Sequence, residues 1–468
     1  MANISSAATG DWNATSSWSG GVVPVAGDKV TILNTHNITL TQDQPAGAVI
    51  INGGGTLTGG GFKLTLNDNA GTTFIFSNVG TISGVLDIDI TGGSVDRPIN
   101  EAGTGNIRNL LINNAQTYNL HYHLTLDGNL TLTAGTLTTV NSGGTNNNLT
   151  VTGHVSLTGT LTGNASSINI KSLQIDSGGT YSATSGTTTL TGEHTSGFAW
   201  YNVNGTFTHN NGNVEFNDNA SHIRENTFYD LNINCNNSGG SIQWRDASGN
   251  TLTVANNLTI TSGILKRDSA TDTLTVTGDV DIAANGTLGQ ITDTGPNNFG
   301  GIRINSGGTY NATSGTTTVT NRFTGTSNVW KNDGGTFTHN NGTVKFTDND
   351  HSKVKEQGSF YNFEQASSFG DYALLWETAG GGSCTILNNL TITRGDFEID
   401  AAGDTLDIFG QTIINGSSNS GARFNNDKNQ TGTITHHGLV TIIQGTYHVE
   451  DGATVNMAGI RNIGGLVD

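Results

Sequence analysis

Eight residues, GTFTHNNG, occupy Gly205 to Gly212 and recur letter for letter at Gly335 to Gly342. The copying extends on both sides. SGGTYSATSGTTTLT from Ser177 is matched by SGGTYNATSGTTTVT from Ser306, NVEFND from Asn213 by TVKFTD from Thr343, and FYDLN from Phe228 by FYNFE from Phe360. NNLTITSG from Asn256 is answered by NNLTITRG from Asn388, and the offset stays between 129 and 132 residues throughout. A weaker earlier copy shows in GNLTLTAGTL from Gly128, and GTYHVEDGAT from Gly445 begins another. A period of this kind implies that likeness in the letters is likeness of place in a stack.

Within the repeats the apolar residues sit two apart. LDIDI puts Leu86, Ile88 and Ile90 on one face with Asp87 and Asp89 on the other, and TLTVANNLTI does the same with Leu252, Val254, Leu258 and Ile260. Such alternation is the mark of a strand with one face in a core. Each run is short and ends at Gly, Asn or Asp, which turn the chain by tolerating positive φ or by bonding their own backbone. Thr, Asn and Gly are weak helix formers, and no capped stripe of period 3.6 appears.

A repeat of about 130 residues is too long for one solenoid turn, so it reads as several turns of about 20 to 24 residues duplicated together. The expected fold is all-β, a right-handed parallel β-helix whose roughly 20 turns, at about 4.8 Å each, make a rod on the order of 100 Å. Phe207 and Phe337 are expected inside and HNNG at a corner. A string of β-sandwiches ranks second, because sandwiches need hairpins and longer strands. The expected organisation is an N-terminal capping or attachment segment over 1–45, a diverged first repeat over 46–176, a repeat over 177–305, and over 306–468 a repeat with the start of a further one.

Charged residues make up only 12% of the 468, and 37 Asp and Glu against 19 Lys and Arg leave a formal charge of -18. That balance repels a phosphate backbone and argues against a nucleic-acid partner. No apolar run approaches the roughly 18 residues that span a bilayer, so no membrane partner is expected. Cys235 and Cys384 are too few for a disulfide framework and stand at unmatched places in the repeat. The opening MANISSAATGDWN has neither basic nor apolar region of a secretory signal, which leads to the expectation of folding in a cytoplasm unless a leader has been removed.

One segment differs in style. WNATSSWSGGVVPVAGDKVTI carries Trp12, Trp18, Pro24, Gly27, Asp28 and Val30 in the order Trp…Trp…Gly-x-x-Pro-x-x-Gly-Asp-x-Val. This resembles the opening of glycine-rich β-helix modules of extracellular surface proteins, and of similar Thr/Asn/Gly-rich virion appendage proteins of marine tailed phages. The motif covers about 21 residues, and the remaining chain agrees with it in style. Physically, two indoles can close the first turn of a β-helix, which otherwise exposes ladder ends and unpaired strand edges. The resemblance implies a structural protein at the virion surface, a tail fibre, spike or capsid fibre. It further implies assembly as a homotrimer, attachment to other virion proteins through the N-terminal segment, and contact with host-surface polysaccharide. A bacterial extracellular adhesin or matrix fibre is the competing reading.

Two regions bring carboxylates and aromatic rings together. Residues 193 to 246 hold Glu193, Glu215, Asp218, Glu225, Asp230 and Asp246 with Trp200, Tyr201, Tyr229 and Trp244; residues 345 to 377 hold Asp348, Asp350, Glu356, Glu364, Asp371 and Glu377 with Trp376, Tyr361 and Tyr372. Rings beside carboxylates suit sugars, so Trp200, Tyr201, Trp244, Trp330 and Trp376 are the glycan-contact candidates. A polysaccharide-degrading site, with Asp218 or Glu356 as its acid, is the third reading. Against catalysis, Glu215 becomes Lys345 in the second copy and Arg245 becomes Glu377, so no carboxylate pair is kept in both. No catalytic residue is assigned and the chain is expected not to be an enzyme.

Metal and cofactor sites are not expected either. His209 and His339 stand about six turns apart in the expected stack, His121 and His123 are two ligands without a third, and His436 and His437 point to opposite faces. Asp348, Asn349 and Asp350 offer oxygens for calcium but lack the nonapeptide pattern of a calcium β-roll, so they read as a corner. NGGG at Asn52 and TGGG at Thr58 lack the Lys of a phosphate loop.

Overall fold

The computed structural model describes the whole chain except residues 1, 68–71, 94, 195, 226, 246–249, 357, 368–372, 378–381, 400–402, 418–420, 427–431, 450–452 and 468, and the side chains of 425 and 426. Asp246, Asp371 and Tyr372 therefore lie outside the described residues. What is described is almost entirely short strands, with two 3-10 turns near the N-terminus. Among these residues no helix is long and apolar enough to cross a membrane.

Alternation in sequence becomes alternation in burial. In Asp87–Ile90 the two isoleucines are buried and the two aspartates half-exposed, and Thr251–Val254 buries Leu252 and Val254. The strand ladders are parallel, each strand pairing with one a coil later. Val155 lies opposite Leu173 and Ile302 opposite Trp330, so a coil takes from 18 to 28 residues. The spread is wider than the expected 20 to 24 because corners and bulges, such as that between Val151 and His154, absorb insertions.

A coil has three strand positions. Thr187–Leu190, Phe198–Asn202 and Thr206–Thr208 form one, each resting on its counterpart in the coil before: Leu190 on Ile170, Trp200 on Leu173, Phe207 on Tyr181. The architecture is a parallel β-solenoid of stacked coils, consistent with a right-handed β-helix. The chain divides into two compact units, Met1–Arg224 and Glu225–Asp468, a boundary that falls inside the 177–305 repeat.

The repeated letters become repeated packing inside each unit. In the first, Tyr181 lies 5.9 Å from Trp200 and 6.0 Å from Phe207, and Trp200 lies 4.7 Å from Phe207, between ring centroids. In the second, Tyr310, Trp330 and Phe337 repeat those separations at 5.9, 5.9 and 4.8 Å. The Tyr181 hydroxyl bonds Thr188 Oγ1 at 2.7 Å and the Tyr310 hydroxyl bonds Thr317 Oγ1 at 2.8 Å, so each buried phenol finds a partner seven residues on. Burial pushes both phenols up, Tyr310 to about 12. Phe207 and Phe337 stack on these tyrosines yet remain half-buried, less enclosed than expected.

HNNG is a corner. Asn210 and Asn211 have φ of 49° and 60°, and Asn340 and Asn341 of 48° and 59°, the left-handed region that asparagine tolerates better than most residues. His209 Nδ1 accepts the Asn211 N–H at 3.1 Å and His339 Nδ1 accepts that of Asn341 at 3.0 Å. The closing glycine is required by the neighbouring coil: a Cβ on Gly212 would stand 1.9 Å from the Thr184 carbonyl oxygen, and one on Gly342 2.1 Å from that of Thr313.

At the N-terminus Trp12 and Trp18 are both buried and meet edge to face at 5.1 Å, with Trp18 Nε1 donating to the Trp12 carbonyl at 2.5 Å. Asp28 closes the turn of the Gly-Asp motif, accepting the Val25 N–H at 3.1 Å and the Ala2 N–H at 2.6 Å. The motif therefore builds the first coil and ties the leading strand to it.

Candidate functional site

Four of the five glycan-contact candidates face inward. Trp200, Trp330 and Trp376 are 0% exposed and Trp244 is 3% exposed, so no indole face is presented to a sugar. Trp376 stacks on Phe363 at 5.5 Å, and Trp244 packs beneath the buried Arg267 guanidinium at 5.6 Å. A stacking platform needs an open ring face, and here the rings fill the coil.

Of the second-region carboxylates, Glu356 is likewise absorbed by structure. Glu356 is 1% exposed; its Oε2 accepts Trp330 Nε1 at 2.8 Å, and its Oε1 accepts Asn332 Nδ2 and the Gly358 N–H at 2.9 Å each. It is a core acceptor, out of reach of a glycosidic oxygen. Asp218 accepts the N–H of Asn219 at 2.7 Å in its own corner.

The Asp348–Asp350 corner lines an open cavity of about 260 Å³ with Asn321 and Arg322. Ser352 Oγ donates to Asp348 Oδ2, and Arg322 pairs with Asp350 at 2.9 Å. Burial raises the Asp348 carboxyl, and a guanidinium already occupies the charged side of the corner. Among the described residues no group of three or more His, Cys, Asp or Glu is arranged to hold a metal ion. Cys235 and Cys384 are both buried.

Tyr201 is the candidate that faces out. Its direction is set by a bulge: between Phe198 and Trp200 the register slips by one, so Ala199 and Trp200 both point inward while Phe198 and Tyr201 both point outward. On this sheet face one outward file runs Ser156, Gln174, Tyr201, Arg224, and beside it Phe198 is paired with His222, while His154 is paired one coil on with the buried Ser172. Phe198 and Tyr201 meet at 4.6 Å, Phe198 and His222 at 5.5 Å, and the Arg224 guanidinium lies 5.5 Å over the Tyr201 ring with Nη1 donating to its hydroxyl at 3.4 Å.

His194 also reaches this face. The His194 N–H donates to the Phe198 carbonyl at 2.9 Å, which sets the His194 ring 4.4 Å from that of His154. His154 Nδ1 is bonded to Ser172 Oγ at 2.6 Å, and its pKa is lowered by burial, then by His194 and by Lys171. Sequence reasoning singled out Tyr201 but missed Phe198, His222, Arg224, His154 and His194. The signal was available only through the coil register, which places residues 18 to 27 apart side by side.

The same face in the second unit is built differently. Asn328, Lys331, Lys353 and Lys355 hold the places of Phe198, Tyr201, His222 and Arg224. There the charges are paired, Lys331 with Asp333 of its own strand at 3.0 Å and, across coils, Lys355 with Asp333 at 2.7 Å, Arg303 with Asp281 at 2.5 Å and Lys353 with Glu377 at 3.6 Å. Comparison with family models, with curated proteins and with solved structures returned no match.

Proposed function

We propose that this chain is a structural and adhesive solenoid, a surface appendage of a virion such as a tail fibre, spike or capsid fibre. The observation that carries the structural part is the division of labour between the copies. What recurs is what packs, Tyr181–Trp200–Phe207 and Tyr310–Trp330–Phe337, and what turns, the HNNG corner, whereas the outward residues beside Trp200 and Trp330 differ. A duplicated stack with interchangeable outer faces suits a scaffold that displays contact residues. The virion assignment is supported by the likeness of the Trp12…Val30 motif to the openings of such appendages, and by the role of that motif as a cap from which a stack can be mounted. Homotrimeric assembly and attachment through the first coils belong to the same proposal.

Antibodies raised against the chain test it. Labelling of purified virus particles at the tail or capsid is the expected result. Label confined to bacterial surfaces would replace the virion with the adhesin or matrix fibre, and label on neither would overturn both. The polysaccharide-degrading alternative is disfavoured by Glu356, whose two oxygens are already engaged by three donors inside the coil.

A further inference from the structure

We propose that the outer face carrying Tyr201 and Arg224 binds a saccharide bearing carboxylate or sulfate groups. This rests on the adhesive half of the reading above and gives that half a place and a ligand class. Three observations converge. First, Phe198 and Tyr201 are half-buried aromatic rings side by side on an open sheet face, the surface against which the C–H face of a pyranose packs. Second, the groups around them are N–H donors: Arg224 over Tyr201, Lys171 against Gly192, and the imidazoles of His194 and His222. Arginine presents a planar fork that matches a carboxylate or sulfate in two-point contact, and an adjacent lysine adds a point charge.

Third, the register neighbours of Phe198 and Tyr201 are Gln174, His222 and Arg224, none of them an acid. Glu193, next to His194, is exposed, and Asp176, at the end of its strand, is occupied by Gln174 Nε2 at 2.8 Å. In a chain of net charge -18 a face with cations at its centre is a local reversal of sign. Two cations are too few to hold a nucleic-acid backbone against that total. The duplication supplies an internal control, because the same face of the second unit has no ring at the places of Phe198 and Tyr201.

The full chain is titrated by calorimetry with polygalacturonate, dextran sulfate, neutral dextran and polyglutamate. Binding to one or both anionic polysaccharides, and to neither dextran nor polyglutamate, is the expected result. Tyr201→Ala and Arg224→Gln should each weaken it about tenfold or more with the melting temperature kept, because both side chains point out of the coil. Lys331→Ala, at the matching place in the second unit, should leave it unchanged. Equal binding of polyglutamate would reassign the face to acidic peptides, and binding of neutral dextran alone would remove the charge from the argument; either overturns the proposal. Failure to bind any polymer, with the chain present on particles, would sink this site while leaving the appendage reading in place.

Discussion

Glu356 and His436 are the two ionisable side chains whose burial carries most consequence. With Trp330 Nε1, Asn332 Nδ2 and the Gly358 N–H all directed at one carboxylate, Glu356→Ala leaves three donors facing an apolar gap. A stability loss of about 3 kcal/mol is expected, and Glu356→Gln, which keeps one acceptor oxygen, should lose less. Urea unfolding read by hydrogen exchange in the Glu225–Asp468 unit checks both. His436 sits inside the same unit, Nδ1 bonded to Thr412 Oγ1 at 2.8 Å and Nε2 to the Tyr447 hydroxyl at 2.9 Å. Burial, with His437 next to it, pushes its pKa down to about 4. Because the folded value lies below the ordinary 6.5, the neutral imidazole's contribution is complete above pH 6.5, declines as pH falls, and is lost below about 4. The decline amounts to about 3 kcal/mol. Unfolding measured from pH 7 to pH 4 should show it, and His436→Gln should flatten the slope by about one proton.

At the scale of the element, the corner explains why GTFTHNNG is conserved between copies although it holds no chemistry. The Gly342 Cα lies so close to the Thr313 carbonyl that a methyl there would displace the coil beneath. Gly342→Ala should therefore destabilise by about 2 to 3 kcal/mol, whereas Asn341→Gly, which only relaxes a positive φ of 59°, should stay within about 1 kcal/mol of the parent. Thermal unfolding of the two variants side by side tests the order. Corners and strands were legible because period-2 alternation and turn residues are local signals, and Trp244, two residues from Ile242, follows its strand inward as alternation requires. Trp200 and Trp330 were not legible. Each sits at a bulge, after Phe198 in one copy and Asn328 in the other, where two consecutive residues turn inward and the alternation changes phase. A slip of one residue decides whether an indole fills the core or meets a sugar, and nothing in the strand's own letters announces it.

At the scale of the molecule, stacking makes stability a property of neighbouring coils. Repeats at a constant offset made the solenoid readable, but the two compact units, Met1–Arg224 and Glu225–Asp468, cut across the repeat boundaries, because contacts follow coils and the offset follows duplication. In the coil nearest the N-terminus Trp12 and Trp18 pack against each other. Removing the Trp18 ring takes away the edge-to-face contact at 5.1 Å, the bond to the Trp12 carbonyl and a fully buried side chain. Trp18→Ala should cost about 3 to 5 kcal/mol locally. In a stack coupled through nearest neighbours that loss is expected to open the leading strands Asn3–Ser5 and Lys29–Ile32 first and to fade over the next coils. Hydrogen exchange should then show lost protection up to about Lys63–Leu66 and unchanged protection throughout Glu225–Asp468. Uniform loss across both units would mean that the chain unfolds as one cooperative block and that the cap stabilises the whole rather than its first coils.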